Sequence, residues 1–169
     1  DLSSSKTMSH LFKYDSVHRT FEGKVSYTSD SIVVDDKPIY YSSISEPEKL
    51  LWKDLKVDVV LECTGNFKTK KLASKHLKAS ANKVIISAPP SDSDIKTIVM
   101  GVNDDIIDGT EQILSNASCT TNSAAPMIQL INNHFGIESA YITTIHSYTT
   151  DQMLHDSPHN DLRSCLLYT

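Results

Sequence analysis

The spacing of apolar residues changes character several times along the chain, and each change marks a different kind of element. Residues 6–13 place Met8, Leu11 and Phe12 on one side of a helix. Between residues 24 and 42 the period drops to two: Val25 and Tyr27, then Ile32 and Val34, then Ile39 and Tyr41 alternate with polar neighbours. Ser29-Asp30-Ser31 and Asp35-Asp36-Lys37-Pro38 are turn signals between these runs, so a small antiparallel meander is expected. Residues 46–51, with Pro47 near the start, read as a short helix.

Beyond this point strands and helices alternate. Residues 57–63 form a β-branched, mostly apolar run that ends at Thr64-Gly65, and Cys63 is expected to be buried there. Residues 69–79 put Leu72, Ala73, His76 and Leu77 on one helical face. Residues 83–87 are a second buried strand, stopped by Ala88-Pro89-Pro90. Strands are also expected over 97–102, 112–115 and 140–148. A helix over 119–135 is carried by Ala124, Ala125, Met127, Ile128, Leu130 and Ile131, with Gly136 as its C′ residue. Strand–helix–strand alternation favours a parallel sheet. The expected fold is therefore α/β: an incomplete Rossmann-like parallel sheet with a small antiparallel meander, followed by the start of an α+β domain.

Composition narrows the function. The chain has 169 residues, of which 39% are hydrophobic, enough for a core. A net charge of −5 argues against nucleic acid or an anionic membrane as the main partner. No apolar run approaches the ~20 residues of a membrane span. Cys63, Cys119 and Cys165 lie far apart without metal-ligand spacing, so no metal is expected, and the thiols suit a reducing, cytoplasmic compartment.

The segment Ser115-Asn116-Ala117-Ser118-Cys119-Thr120-Thr121-Asn122 sets one cysteine in a polar turn between a strand and a helix. A thiol at a helix start sits beside N–H groups without intrahelical partners and the positive end of the dipole, both of which favour the thiolate. The alternative is a buried structural cysteine beside a cap. His146 follows 27 residues later on the last expected strand. It is either a structural strand histidine or the group that lowers the thiol pKa from ~8.5 toward ~3.5–7.5 and later takes a proton. The backbone N–H of Cys119 is placed to donate to an oxyanion.

This eight-residue segment resembles, almost letter for letter, the active-site segment of phosphorylating glyceraldehyde-3-phosphate dehydrogenases. The resemblance extends to Lys13-Tyr14-Asp15-Ser16-Val17-His18, to Glu62-Cys63-Thr64-Gly65 and to Lys83-Val84-Ile85-Ile86-Ser87-Ala88-Pro89. It continues through residues 146–152 and 156–163. It implies Cys119 as nucleophile and His146 as its activator. It implies Ser118, Thr120, Thr149 and Arg163 as contacts to substrate or inorganic phosphate, although local capping also accounts for the hydroxyls. Asp1, Gly65 and Ser87 fall on cofactor-side positions; the implied cofactor is NAD, with NADP left open. The implied partners are a phosphorylated aldehyde and inorganic phosphate, and the implied assembly is a homotetramer.

Some features depart from the family. The glycines do not form GxGxxG. Ser45 stands where the family has an arginine that reaches the adenine, and Ser123 replaces its second cysteine. The expected division is a partial dinucleotide-binding domain over 1–118, the start of a catalytic domain over 119–163, and a tail over 164–169 that does not resemble the family's continuation. By itself the chain is expected neither to bind NAD nor to turn over, and to expose an unpaired sheet edge that favours aggregation. Three other readings compete: an erythrose-4-phosphate dehydrogenase of the same family, a cysteine hydrolase with a Cys/His pair, and a non-catalytic fragment that binds another chain.

Overall fold

The computed structural model describes residues 2–147 and divides into two compact units, Asp1–Leu130 and Ile131–Thr169. The first unit begins with α1 (Ser5–Lys13), capped by Ser4, whose hydroxyl accepts from the Thr7 N–H at 3.1 Å. A two-residue hairpin, β1 (Tyr14–Asp15) with β2 (Arg19–Thr20), follows and is tightened by Asp15, which accepts from the Val17 and His18 N–H groups. The expected meander is present as β3 (Val25–Tyr27), β4 (Ser31–Val34) and β5 (Lys37–Tyr40), antiparallel throughout.

The face by which α1 meets the meander differs from the one its apolar residues suggest. Ser5 and Ser9 are its buried residues, whereas Leu11 and Phe12 are exposed. Small serines allow close approach, and both hydroxyls donate to meander carbonyls: Ser5 to Thr28 at 2.6 Å and Ser9 to Ser26 at 3.4 Å. The expected short helix is a single 3₁₀ turn, Pro47–Lys49.

The second sheet is parallel, in the order β6 (Val59–Glu62), β7 (Lys83–Ile86), β8 (Ile113–Ser115). Between β6 and β7 runs α2 (Lys70–Lys78), capped by Thr69, whose hydroxyl accepts from the Leu72 N–H at 3.2 Å. Ala73 of α2 packs on Val84, Ile86 and Ile95, with Leu77, Ala88 and Ile113 around them. At roughly 25 cal/mol per Å² of apolar area removed from water, burial of this cluster favours the docking of α2 on the sheet. The outer edge of β6 has no strand partner among the described residues, and Val59 and Leu61 are exposed. Cys63, at the end of β6, is exposed rather than buried, in step with Val59 and Leu61, the exposed alternate positions of this edge strand.

Two expected strands are not formed. Over 97–102 only Thr97 bridges to Ser115; the chain then turns, with Val102 N–H donating to Val99 and Asn103 Oδ1 accepting from the Val99 N–H at 2.8 Å. Gly101, at φ 79°, permits that turn. A 3₁₀ turn, Asp104–Ile106, follows. Over 140–147 the chain is irregular and Tyr141 and Ile145 are 99% exposed, since no described segment supplies the N–H and C=O partners a strand needs. Residue 148 lies outside the described residues.

The last helix, α3 (Cys119–Phe135), has the expected bounds and ends as expected: Gly136, at φ 73°, donates to the Asn132 carbonyl at 3.0 Å. None of its residues is buried, so its apolar face is not part of the core described above.

The loop before β8 is held by charge. Lys96 donates to Asp108 at 3.1 Å and to Glu111. The Lys96 ammonium, helped by backbone donors, holds the Glu111 carboxyl at about 2, below its ordinary 4.5. The hydroxyl and N–H of Thr110 hold Asp108 below the usual carboxylate range. A carboxyl whose pKa is lower in the folded state stabilises above its unfolded pKa and loses that contribution as pH falls through the folded one. Thermal stability should therefore drop between pH 4.5 and about 2, and Glu111→Gln should flatten that part of the profile while lowering stability at pH 7. Melting temperatures from pH 7 to 2 for both chains check this; parallel profiles would refute it.

Candidate active site

The residues of interest collect at the C-terminal ends of the three parallel strands. The register pairs Glu62 with Ile86 and Ile86 with Ser115, so the strands finish level. In open α/β sheets, this is the end at which ligands bind.

The cysteine turn is built from Ser115 upward. Ser115 is 1% exposed; its hydroxyl donates to the Ala88 carbonyl at 2.8 Å and accepts from the Ala117 N–H at 3.1 Å. The Asn116 N–H donates to the Ile86 carbonyl at 2.9 Å, which ties the turn to β7. Ala117 is buried with φ 59°, a left-handed conformation that costs a residue with a Cβ about 1–2 kcal/mol. Ser118 caps α3: its hydroxyl accepts from the Thr121 N–H at 3.0 Å, and its carbonyl accepts from the Asn122 N–H at 2.9 Å. Cys119 is thereby the first residue of a 17-residue helix, and it is exposed. Thr120 follows it in the first turn.

Asn122 was not singled out by the sequence. Its amide donates to the Asn116 carbonyl at 2.7 Å and to the Ser118 carbonyl at 2.9 Å, bridging the two sides of Ala117. An amide one turn into a helix, below a strand-to-helix turn, is the signal that could have found it.

On the neighbouring strands, Gly65 lies just past β6 at φ 75°, a conformation suited to glycine, with open space where a Cβ would stand. Ser87 lies just past β7, is exposed, and donates its N–H to the Glu62 carbonyl at 3.0 Å. Open backbone at Gly65 and an exposed hydroxyl at Ser87, on adjacent parallel strand ends, fit a dinucleotide approaching this edge. The structure thus brings Gly65, Ser87, Ser118, Cys119 and Thr120 to one end of one sheet.

Beneath this edge lies a polar group that sequence reasoning also missed. Glu62 and His76 are both 4% exposed and 2.9 Å apart, and the Trp52 indole donates to His76 at 3.2 Å. The available signal was a carboxylate at the inward position of β6, two residues after buried Val60, which requires a partner.

In the second unit, His146 sits in the irregular segment after α3, exposed, and its Nδ1–H donates to the Ser147 carbonyl at 2.5 Å. Asp1, Thr149 and Arg163 lie outside the described residues. Among the described residues no helix is long and apolar enough to cross a membrane, and no group of three or more His, Cys, Asp or Glu side chains could hold a metal ion.

Comparison with known proteins bears on the family to which the chain belongs. The family described as "Glyceraldehyde 3-phosphate dehydrogenase, NAD binding domain" matches residues 1–70, and "Glyceraldehyde 3-phosphate dehydrogenase, C-terminal domain" matches residues 118–166. Relatives named glyceraldehyde-3-phosphate dehydrogenase include one from Thermotoga maritima, 52% identical over 96% of this chain and 49% of its own length. One from Clostridium acetobutylicum is 49% identical with the same coverage of each chain, and one from Geobacillus stearothermophilus is 48% identical, again with that coverage. The chain spans about half the length of the curated relatives it matches. NAD is the cofactor of the domain that its first 70 residues match. With both domains represented and about half of all aligned positions identical, the chain belongs to the glyceraldehyde-3-phosphate dehydrogenase family of oxidoreductases.

Proposed function

We propose that the whole protein oxidises glyceraldehyde 3-phosphate to an acyl phosphate through a thioester on Cys119. The observation that carries this reading is the level ending of β6, β7 and β8, with an exposed helix-start cysteine at the same end of the sheet as Gly65 and Ser87. A cysteine hydrolase would need no such neighbours, and the family matches do not favour it.

In this mechanism the Cys119 thiolate attacks the aldehyde carbon, forming a C–S bond and leaving the carbonyl electrons on oxygen. His146 protonates and then deprotonates that oxygen as the hemithioacetal is oxidised to the thioester. NAD supplies the acceptor for the hydride that leaves the same carbon. Inorganic phosphate then attacks the thioester, the acyl phosphate departs, and the thiolate is regenerated. Ser118, Thr120, Thr149 and Arg163 bind the phosphates; Asp1, Gly65 and Ser87 hold the cofactor. Erythrose 4-phosphate would be handled by the same chemistry. A boundary at 118/119, a cytoplasmic location and a homotetramer complete the proposal.

If Cys119 is the activated nucleophile, brief iodoacetamide treatment at pH 7 should label it well ahead of Cys63. The comparison is a clean one because both thiols are exposed, so access alone does not separate them. Peptide mass spectrometry reads the ratio, and equal labelling would end the argument for activation.

His146→Asn should slow acylation of the whole enzyme by about 10²–10⁴ and move thiol alkylation to higher pH, since the thiolate loses its cationic partner. A pH–alkylation profile identical to that of the parent, with a lower melting temperature, would instead make His146 structural.

Ser118 has a capping role that can be separated from substrate binding. Ser118→Ala should cost about 1 kcal/mol of stability by removing the acceptor for the Thr121 N–H, and Ser118→Thr should restore most of it. Denaturant titration of the three chains tests the cap; an unchanged midpoint in Ser118→Ala would show that it contributes nothing.

A further inference from the structure

Two ionisable side chains that no step above uses lie beneath the turn after β6. His76 Nε2 faces Glu62 Oε2 at 2.9 Å, and the Trp52 Nε1–H meets His76 Nδ1 at 3.2 Å. An indole N–H can only donate, so His76 Nδ1 must be the unprotonated, accepting nitrogen. The imidazole is then neutral, with its proton on Nε2 pointing at Glu62. The second carboxylate oxygen, Oε1, accepts from the Thr64 N–H at 2.8 Å and from the Thr64 hydroxyl. The Thr64 oxygen accepts in turn from the Asn66 N–H at 3.1 Å, closing the turn over Gly65. Phe67 packs edge-on against the imidazole with ring centroids 5.9 Å apart, covering it from that side.

The direction of donation is therefore set at every link: Trp52 to His76, His76 to Glu62, and Thr64 to Glu62 from the other side. Burial pushes the Glu62 carboxyl up, but the His76 and Thr64 donors outweigh it and hold the group below its ordinary value. Only an ionised carboxylate can accept at both ends. A glutamine has one accepting oxygen, so it would present an NH₂ either to His76 or to Thr64.

We propose that the Trp52–His76–Glu62 chain of hydrogen bonds is a positioning device that sets the Thr64-Gly65 turn, with His76 held as the neutral Nε2–H tautomer. Its consequence for the cofactor rests on the reading above, in which this strand end faces the dinucleotide. A buried charged link transmits geometry because each donor has a single acceptor, and loss of one link leaves the next group unsatisfied in a dry site. Trp52, on the segment after Pro47–Lys49, thereby fixes backbone twelve positions away at Thr64.

The ¹⁵N-labelled whole protein tests this directly. Long-range ¹H–¹⁵N spectra should show His76 protonated on Nε2 and not on Nδ1. His76→Gln can still accept from Trp52 and donate to Glu62, and it should keep Thr64 amide exchange near that of the parent chain. His76→Phe keeps the ring shape but no polar atom, and it should speed Thr64 exchange about tenfold while Val84 and Ile86 of β7 stay protected. Trp52→Phe, which removes the indole donor and keeps an aromatic ring, should also speed exchange of the Thr64 amide. A proton on Nδ1, Thr64 exchange unchanged in His76→Phe, or Thr64 exchange unchanged in Trp52→Phe would each overturn the proposal. None of these readouts uses the thiol or a nucleotide, so they stand or fail independently of the dehydrogenase reading.

Discussion

The buried hydroxyl of Ser115 is the point at which strand, neighbouring loop and cysteine turn are tied together. It donates to the Ala88 carbonyl beyond β7 and accepts from the Ala117 N–H beyond β8. The same residue's backbone accepts from Ile98 and donates to Lys96, which brings the 96–98 segment alongside. At 1% exposure each of these groups would be costly to leave unsatisfied, so the four bonds define one arrangement. A side chain without a hydroxyl here would strand the Ala88 carbonyl and release the turn that carries Cys119.

The turn itself stores strain and then contains it. Ala117 occupies a left-handed conformation without being glycine, and the surrounding bonds over-determine it: Ser115 holds its N–H, and Asn122 spans the carbonyls on either side. Strain held in this way is common where a side chain must be aimed, and here the result is a thiol at the first position of a long helix. The neighbouring strand end is organised by a different means, a buried carboxylate with three donors, which brings the turn at Gly65 to the same edge.

Residues that are hydrophobic in pattern are not always the ones that pack. Leu11 and Phe12 on α1, Val59 and Leu61 on β6, and Met127, Leu130 and Ile131 on α3 are all exposed, whereas Ser5, Ser9 and Ser115 are buried. Periodicity reports which face of an element is apolar; it does not report whether a neighbour is present to cover that face. The same limit explains residues 140–147, whose β-branched run has strand propensity but no described partner, and propensity without a partner does not make a ladder.

The sequence by itself determined the local elements and the position of the candidate-site cysteine at the start of a helix. The meander, α2, the strands at 59–62 and 83–86 and the bounds of α3 follow from period, caps and turn residues, because these act over a few neighbouring positions. The identity of Cys119 and its place at a helix start were legible for the same reason. Tertiary structure alone decided which strand ends lie level, that Cys63 is exposed, that Thr97 makes one bridge instead of a strand, and that Trp52 reaches His76. Each of these depends on contacts between residues far apart in the chain, such as Trp52 with His76 or Ser115 with Ala88, and the donor and acceptor partners that satisfy a buried group are not written in its immediate neighbours.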